Sequence, residues 1–184
     1  MLDLTDPPAD PTDIEREALP TTGSVDFRLI ELFFFAYREF TADADELLAQ
    51  YGFGRAHHRI LHFVNRAPGM TIAEILDLLQ ITKQSLSRVL RQLVEEGFIA
   101  ILPGDDDRRQ RLLFPTARGR ELTLELSRAQ ARRIDLAMAG TGQRHSDSIH
   151  RFLRLMGQDG EATREWFARQ GIVEDEPVSY THLT

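Results

Sequence analysis

Apolar residues recur along most of this chain at spacings of three and four, the period of a helix with one buried face, and a short alternating stretch interrupts them only between residues 98 and 114. Val25, Leu29, Leu32, Phe33, Ala36, Tyr37 and Phe40 follow the helical period, yet Ile30, Phe34 and Phe35 fall outside that stripe. A helix apolar on so much of its girth is expected to be buried on more than one side, with a second copy of the chain as the natural cover. Asp43 with Glu46 predicts a capping box that opens a short helix from Asp45 to Tyr51, and Gly52 and Gly54 punctuate the entry to a helix over Arg55–Asn65. Further amphipathic stretches run from Ala117 to Ile134 and from Ser146 to Met156, with a short helix over Glu161–Gln170 around Trp166 and Phe167.

The segment from Thr71 to Thr116 is the most informative. Thr71 and Glu74 form a reciprocal N-terminal cap for a helix that ends at Leu79, and only Gln80-Ile81 separates it from Thr82, the N-cap of a second helix. Two helices joined so tightly must cross steeply, as in a helix-turn-helix. The second helix carries Leu86, Val89, Leu90, Leu93 and Val94 as one stripe and stops at Gly97. Opposite the stripe stand Gln84, Arg88 and Arg91, flanked by Ser85 and Gln92, with no acid before Glu95. Arg pairs with guanine and Gln with adenine through two hydrogen bonds each, and Thr82, Lys83, Ser85 and Ser87 suit phosphate near a helix N-terminus. A merely soluble helix face is the competing reading, which the neighbouring elements make less favourable.

Phe98–Leu102 and Arg111–Phe114 read as strands joined through Pro103-Gly104, forming a wing. Its tip mixes Asp105, Asp106 and Asp107 with Arg108, Arg109 and Arg111. Acids repel DNA, but a carboxylate can also aim an arginine, and an Arg so aimed suits a narrow minor groove. A solvated loop with balanced charges competes evenly with that reading. A metal site from the Asp run is disfavoured, since three consecutive side chains converge poorly.

These residues resemble the MarR family of winged helix-turn-helix transcription regulators. The likeness is carried by Thr71-Ile72-Ala73-Glu74-Ile75, Ile81-Thr82-Lys83-Gln84-Ser85-Leu86-Ser87-Arg88-Val89-Leu90, Glu95-Glu96-Gly97-Phe98-Ile99 and Asp107-Arg108-Arg109, followed by Thr116-Ala117-Arg118-Gly119. Leu32–Arg38 and Tyr51–Arg59 resemble its PetP-like branch. The resemblance implies a mainly α fold with a small β-wing. It also implies base reading by Arg88 and its neighbours, phosphate contacts from Thr82 and Ser87, and an Asp107 that orients Arg109. First and last helices making a homodimer, and a small aromatic effector held between the dimer and DNA lobes, follow from it as well. Two departures stand out: Pro115 in place of the usual Leu, and Ala100 where many members carry Arg.

The organisation expected is an acidic, Pro-rich disordered segment over 1–23 and a single domain over 24–172. Within that domain the winged helix-turn-helix occupies about 55–116, and dimerisation helices about 24–50 and 117–170. A tail over 173–184 follows, whose last eight residues resemble a translated adapter scar. The net charge of −7 is uneven: residues 1–54 carry −9, residues 55–134 carry +5 and residues 135–184 carry −3, so the positive charge lies with the motif. The absence of Cys excludes thiol sensing, disulfides and thiolate zinc sites. No export signal or membrane span is recognised, and a cytoplasmic location is expected. His58 and His62 share a helix face at i, i+4, and His57 adjoins them. A metal-responsive regulator using His58 and His62 is one alternative, although no third ligand follows at a diagnostic spacing and polar surface or pocket histidines are favoured. A winged-helix module for protein contacts is another, which the basic centre argues against. No nucleophile–base pair, phosphate loop or metal motif points to an enzyme.

Overall fold

A computed structural model describes residues 25–104, 107–141, 145–157 and 160–172. The segment 1–23, Asp105, Asp106 and the tail from 173 onward lie outside those residues. The described elements run α1 (Phe27–Ala49), α2 (Arg55–Arg66), β1 (Met70–Thr71), α3 (Ile72–Leu79), α4 (Lys83–Glu95), β2 (Ile99–Pro103), β3 (Arg111–Pro115), α5 (Ala117–Thr141), α6 (Ser146–Gly157) and α7 (Glu161–Arg169). The chain divides into two units, residues 1–38 and 39–184. In the first, Val25, Leu29, Leu32, Phe34, Phe35 and Tyr37 are exposed, and the Arg38 guanidinium lies over the Phe35 ring at 5.1 Å.

The separate helix expected over Asp45–Tyr51 does not form. α1 continues unbroken through Ala49, because Thr41-Ala42-Asp43-Ala44 contains neither Gly nor Pro and the helix has tertiary partners on this stretch. Thr41, Ala44 and Leu48 are buried, and Asp43 accepts from Arg133 of α5 at 3.1 Å rather than capping a new helix. Gln130 donates to the Phe40 carbonyl at 3.4 Å, a second tie between α5 and this end of α1.

In the second unit the core is built from Leu48, Ile60, Leu61, Val64, Ile75, Leu86, Leu93 and Leu126, from the apolar stripes of α1, α2, α3, α4 and α5, together with Phe98, Ile99 and Leu113 from the small sheet and its entry. The sheet has three antiparallel strands in the order β1-β3-β2. β2 pairs with β3 as Ile101↔Leu113 and Pro103↔Arg111, and Met70 of β1 faces Leu113 from the other edge. β1 was not expected; two residues carry no alternation, and only their pairing to β3 defines them. Trp166 of α7 closes the core against Phe63, edge to face at 4.9 Å, and Arg169 lies 3.6 Å from Glu74 of α3. Among the described residues no helix is long and apolar enough to cross a membrane.

Candidate nucleic-acid interface

The helix-turn-helix is held by its caps. Thr71 Oγ1 accepts from Glu74 N–H at 3.1 Å, and the Glu74 carboxylate accepts from Thr71 N–H at 2.7 Å and from its hydroxyl at 2.9 Å. Burial alone would raise the Glu74 pKa, but the hydrogen bonds from Thr71 and the nearby Arg169 charge outweigh it and hold the carboxyl below its ordinary value. Gln80 makes the turn in the left-handed region, φ +52°, with its amide donating to the Asp77 carbonyl. Thr82 Oγ1 then accepts from Ser85 N–H at 3.2 Å and donates to Ser85 Oγ at 3.0 Å, so two of the hydroxyls expected at phosphate also fasten the start of α4.

At the other end of α4, Gly97 takes φ +74°. Its N–H reaches the Val94 carbonyl at 3.0 Å and Phe98 N–H reaches Leu93 at 2.8 Å, the paired arrangement of a Schellman stop. This turns the chain directly into β2. α4 and the wing are therefore joined through one hydrogen-bonded corner.

Leu86, Val89, Leu90 and Leu93 are buried, which leaves Lys83, Gln84, Ser85, Ser87, Arg88 and Arg91 exposed along one face of α4. Three of those six side chains are cationic and none is acidic. Gln92, expected beside them, departs from the pattern: it is half-buried and turned toward α2. The reason is tertiary, since a residue at the margin of a stripe faces whichever neighbour lies alongside.

In the wing, Gly104 N–H bonds the Gln110 carbonyl at 3.2 Å, and the tip folds back with Gln110 N–H on the Asp107 carbonyl at 2.9 Å. Asp107 Oδ1 accepts from the Arg109 main-chain N–H at 2.9 Å, so the carboxylate shapes the backbone that carries Arg109. Asp107, Arg108 and Arg109 are exposed. The wing is anchored to α5 by Thr116, whose hydroxyl donates to the Gly97 carbonyl at 2.7 Å and accepts from Gly119 N–H at 3.0 Å. Arg118 packs its guanidinium over Phe98, 4.2 Å from the ring centre, while donating to the Glu96 carbonyl at 2.7 Å.

Of the histidines of α2, His57 bonds Gln92 of α4. His58 and His62 are half-buried, and burial holds both pKa values below the ordinary 6.5; His62 adds to the effect at His58 and Arg66 to that at His62, while Asp45 opposes it at His58. Among the described residues no group of three or more His, Cys, Asp or Glu is placed to hold a metal ion.

An exposed cationic helix face, capped at both ends and followed by a charged hairpin, is the arrangement the MarR-like motifs require, and residues 51–110 match the sequence profile of the MarR family. The chain is 45% identical over 127 residues to the HTH-type transcriptional regulator PetP of Rhodobacter capsulatus, a span covering 69% of this chain and 76% of PetP. The chain belongs to the MarR family of transcriptional regulators. Membership makes it a DNA-binding regulator and not an enzyme. The fold agrees with a MarR protein from Peptoclostridium difficile at TM-score 0.65 and 16% identity, over 84% of this chain and 99% of that one. A MarR-family regulator from Listeria monocytogenes, solved with a 26-mer DNA, superposes at TM-score 0.62 and 17% identity with the same coverage.

Proposed function

We propose that the chain is a homodimeric regulator that places α4 of each protomer in the major groove of a pseudo-palindromic operator, with the wing of each reaching into the adjacent minor groove. The observation that carries this reading is the exposed set Lys83, Gln84, Ser85, Ser87, Arg88 and Arg91 on a helix whose opposite face is buried in the core. Arg88 and Arg91 reach base edges, Gln84 supplies a donor and an acceptor suited to adenine, and Thr82, Lys83, Ser85 and Ser87 hold phosphates. Asp107 shapes the tip from which Arg109 enters the minor groove, with Arg108 on the backbone beside it.

The apolar surface left over supports a dimer. α6 contains no buried residue, and Phe152, Leu153, Leu155 and Met156 are exposed on it, as is Leu136 of α5 at 77%. Exposed aliphatic and aromatic residues in such density suit burial against a second copy. A two-fold dimer of this kind sets half-site centres about 34 Å apart. A small aromatic effector that changes DNA affinity, and action in the cytoplasm, complete the reading.

The test is selection of bound sequences from a random duplex pool at a stated salt concentration, with the native chain and with Arg88→Ala. The native chain enriches a pseudo-palindrome, and Arg88→Ala loses about 1–3 kcal/mol of affinity and relaxes the preference at one position of each half-site. An unchanged preference removes Arg88 from base reading, and no enrichment by the native chain refutes the proposal.

A further inference from the structure

Besides the ties from α5 at its C-terminal end, α4 is fastened to the body of the protein by a side-chain hydrogen bond on its inward margin. His57 Nε2 of α2 is 2.9 Å from Gln92 Oε1 of α4. The other ring nitrogen, Nδ1, accepts from Gly54 N–H at 3.1 Å, so the ring proton sits on Nε2 and His57 donates to Gln92. Gln92 passes the connection on, its amide nitrogen lying 3.3 Å from Glu96 Oε1 at the end of α4. The imidazole plane is itself fixed, stacked on Phe53 at 4.7 Å and 5°, and Phe53 packs edge to face on the buried Phe98 at 5.1 Å. One nitrogen and one face of the ring are thus held, and the direction of the second nitrogen follows.

The apolar contacts of Leu86, Val89, Leu90 and Leu93 keep α4 on the core, but dispersion and burial are not directional and tolerate a small rotation or slide of the helix. A hydrogen bond from a clamped ring does not. Arg88 stands one turn before Gln92, on a neighbouring line of the same helix, so fixing Gln92 fixes the direction from which Arg88 leaves α4. We propose that His57 is a positioning residue for DNA recognition: acting through Gln92, it sets the rotation and register of α4, and so the place where Arg88 and Arg91 meet base edges, without touching DNA itself. The proposal rests on α4 being the DNA-reading helix.

Three substitutions separate the parts of this ring. His57→Gln keeps a donor where Nε2 stood and loses the ring and the acceptor for Gly54. His57→Asn keeps an acceptor where Nδ1 stood and loses the tie to Gln92. His57→Phe keeps the stack on Phe53 and loses both hydrogen bonds. Affinity for a duplex selected by the native chain is measured by fluorescence anisotropy at fixed salt, below the unfolding transition of every variant, beside the Tm of each. His57→Gln, which keeps the donor without the clamp, is expected to bind about threefold more weakly than the native chain whatever its Tm, and His57→Asn and His57→Phe about tenfold more weakly, the scale of one neutral hydrogen bond. Native affinity in His57→Asn, or losses that simply follow Tm across the series, overturns the positioning role while native binding stands. Should His57→Phe fail to fold, the Gln and Asn pair carries the comparison. A native chain that selects no duplex overturns the DNA reading, and this role with it.

Discussion

The junction between wing and α5 makes a prediction whose sign opposes helix propensity. Gly119 is buried within α5, and a Cβ there would sit 2.0 Å from the Phe98 carbonyl oxygen and 3.0 Å from its carbon. In an open helix, Gly→Ala is favourable by about 1 kcal/mol. Here α5 would have to withdraw by roughly 1 Å or more to restore ordinary contact. That withdrawal stretches Thr116 N–H to Phe98 O (3.2 Å) and Thr116 Oγ1 to Gly97 O (2.7 Å). Two such bonds are worth about 2 kcal/mol and overpacking costs about 2 more, so after the propensity gain Gly119→Ala should destabilise by roughly 3 kcal/mol. At about 2–4 °C per kcal/mol for a chain of this size, Tm falls by about 6–12 °C. Gly140, in the same helix with nothing within 4 Å of its Cβ position, is the control, and Gly140→Ala should leave Tm unchanged or slightly raised. Differential scanning calorimetry at one protein concentration reads both variants. A Tm for Gly119→Ala equal to or above that of the native chain would refute the close approach of α5 to Phe98.

His58 and His62 are held below their ordinary pKa by burial, so in the window below 6.5 the unfolded chain binds protons that the folded chain refuses. Stability from this source is full above that value and declines as pH falls. The urea midpoint should drop between pH 7.5 and 5.5, and less steeply in the His58→Asn/His62→Asn variant; equal slopes would exclude these histidines as the source. Arg109→Ala should weaken binding most on operators with A/T-rich flanks, where the minor groove is narrow, and equal losses on G/C-rich flanks, measured at the same salt, would argue against insertion there.

The helix-turn-helix was legible because its signals are local. Thr71 with Glu74, Thr82 as an N-cap and Gly97 after Glu96 act over three or four residues, and each forms the cap predicted for it. Asp43 with Glu46 has the same spacing and fails, since α1 is already helical there and Arg133, 90 residues away, takes the Asp43 carboxylate. Gln92 sits at the edge of the apolar stripe, where periodicity cannot say whether water, DNA or α2 lies alongside. His57 drew notice only as one of three histidines, and its bond to Gln92 spans 35 residues.

Amino-acid order alone determined the apolar stripes, the start and stop points of the helix-turn-helix, the cationic centre within an acidic chain and the absence of thiol chemistry, because each depends on residue type and on neighbours within a turn or two. Tertiary structure decided the rest. It converted two unpatterned residues into β1, ran α1 through an apparent cap, left no room for a Cβ at Gly119 by bringing the Phe98 carbonyl against it, and drew Gln92 inward onto His57. Those outcomes turn on which distant groups arrive within a few ångströms of one another, and burial makes a polar group choose the partner that arrives.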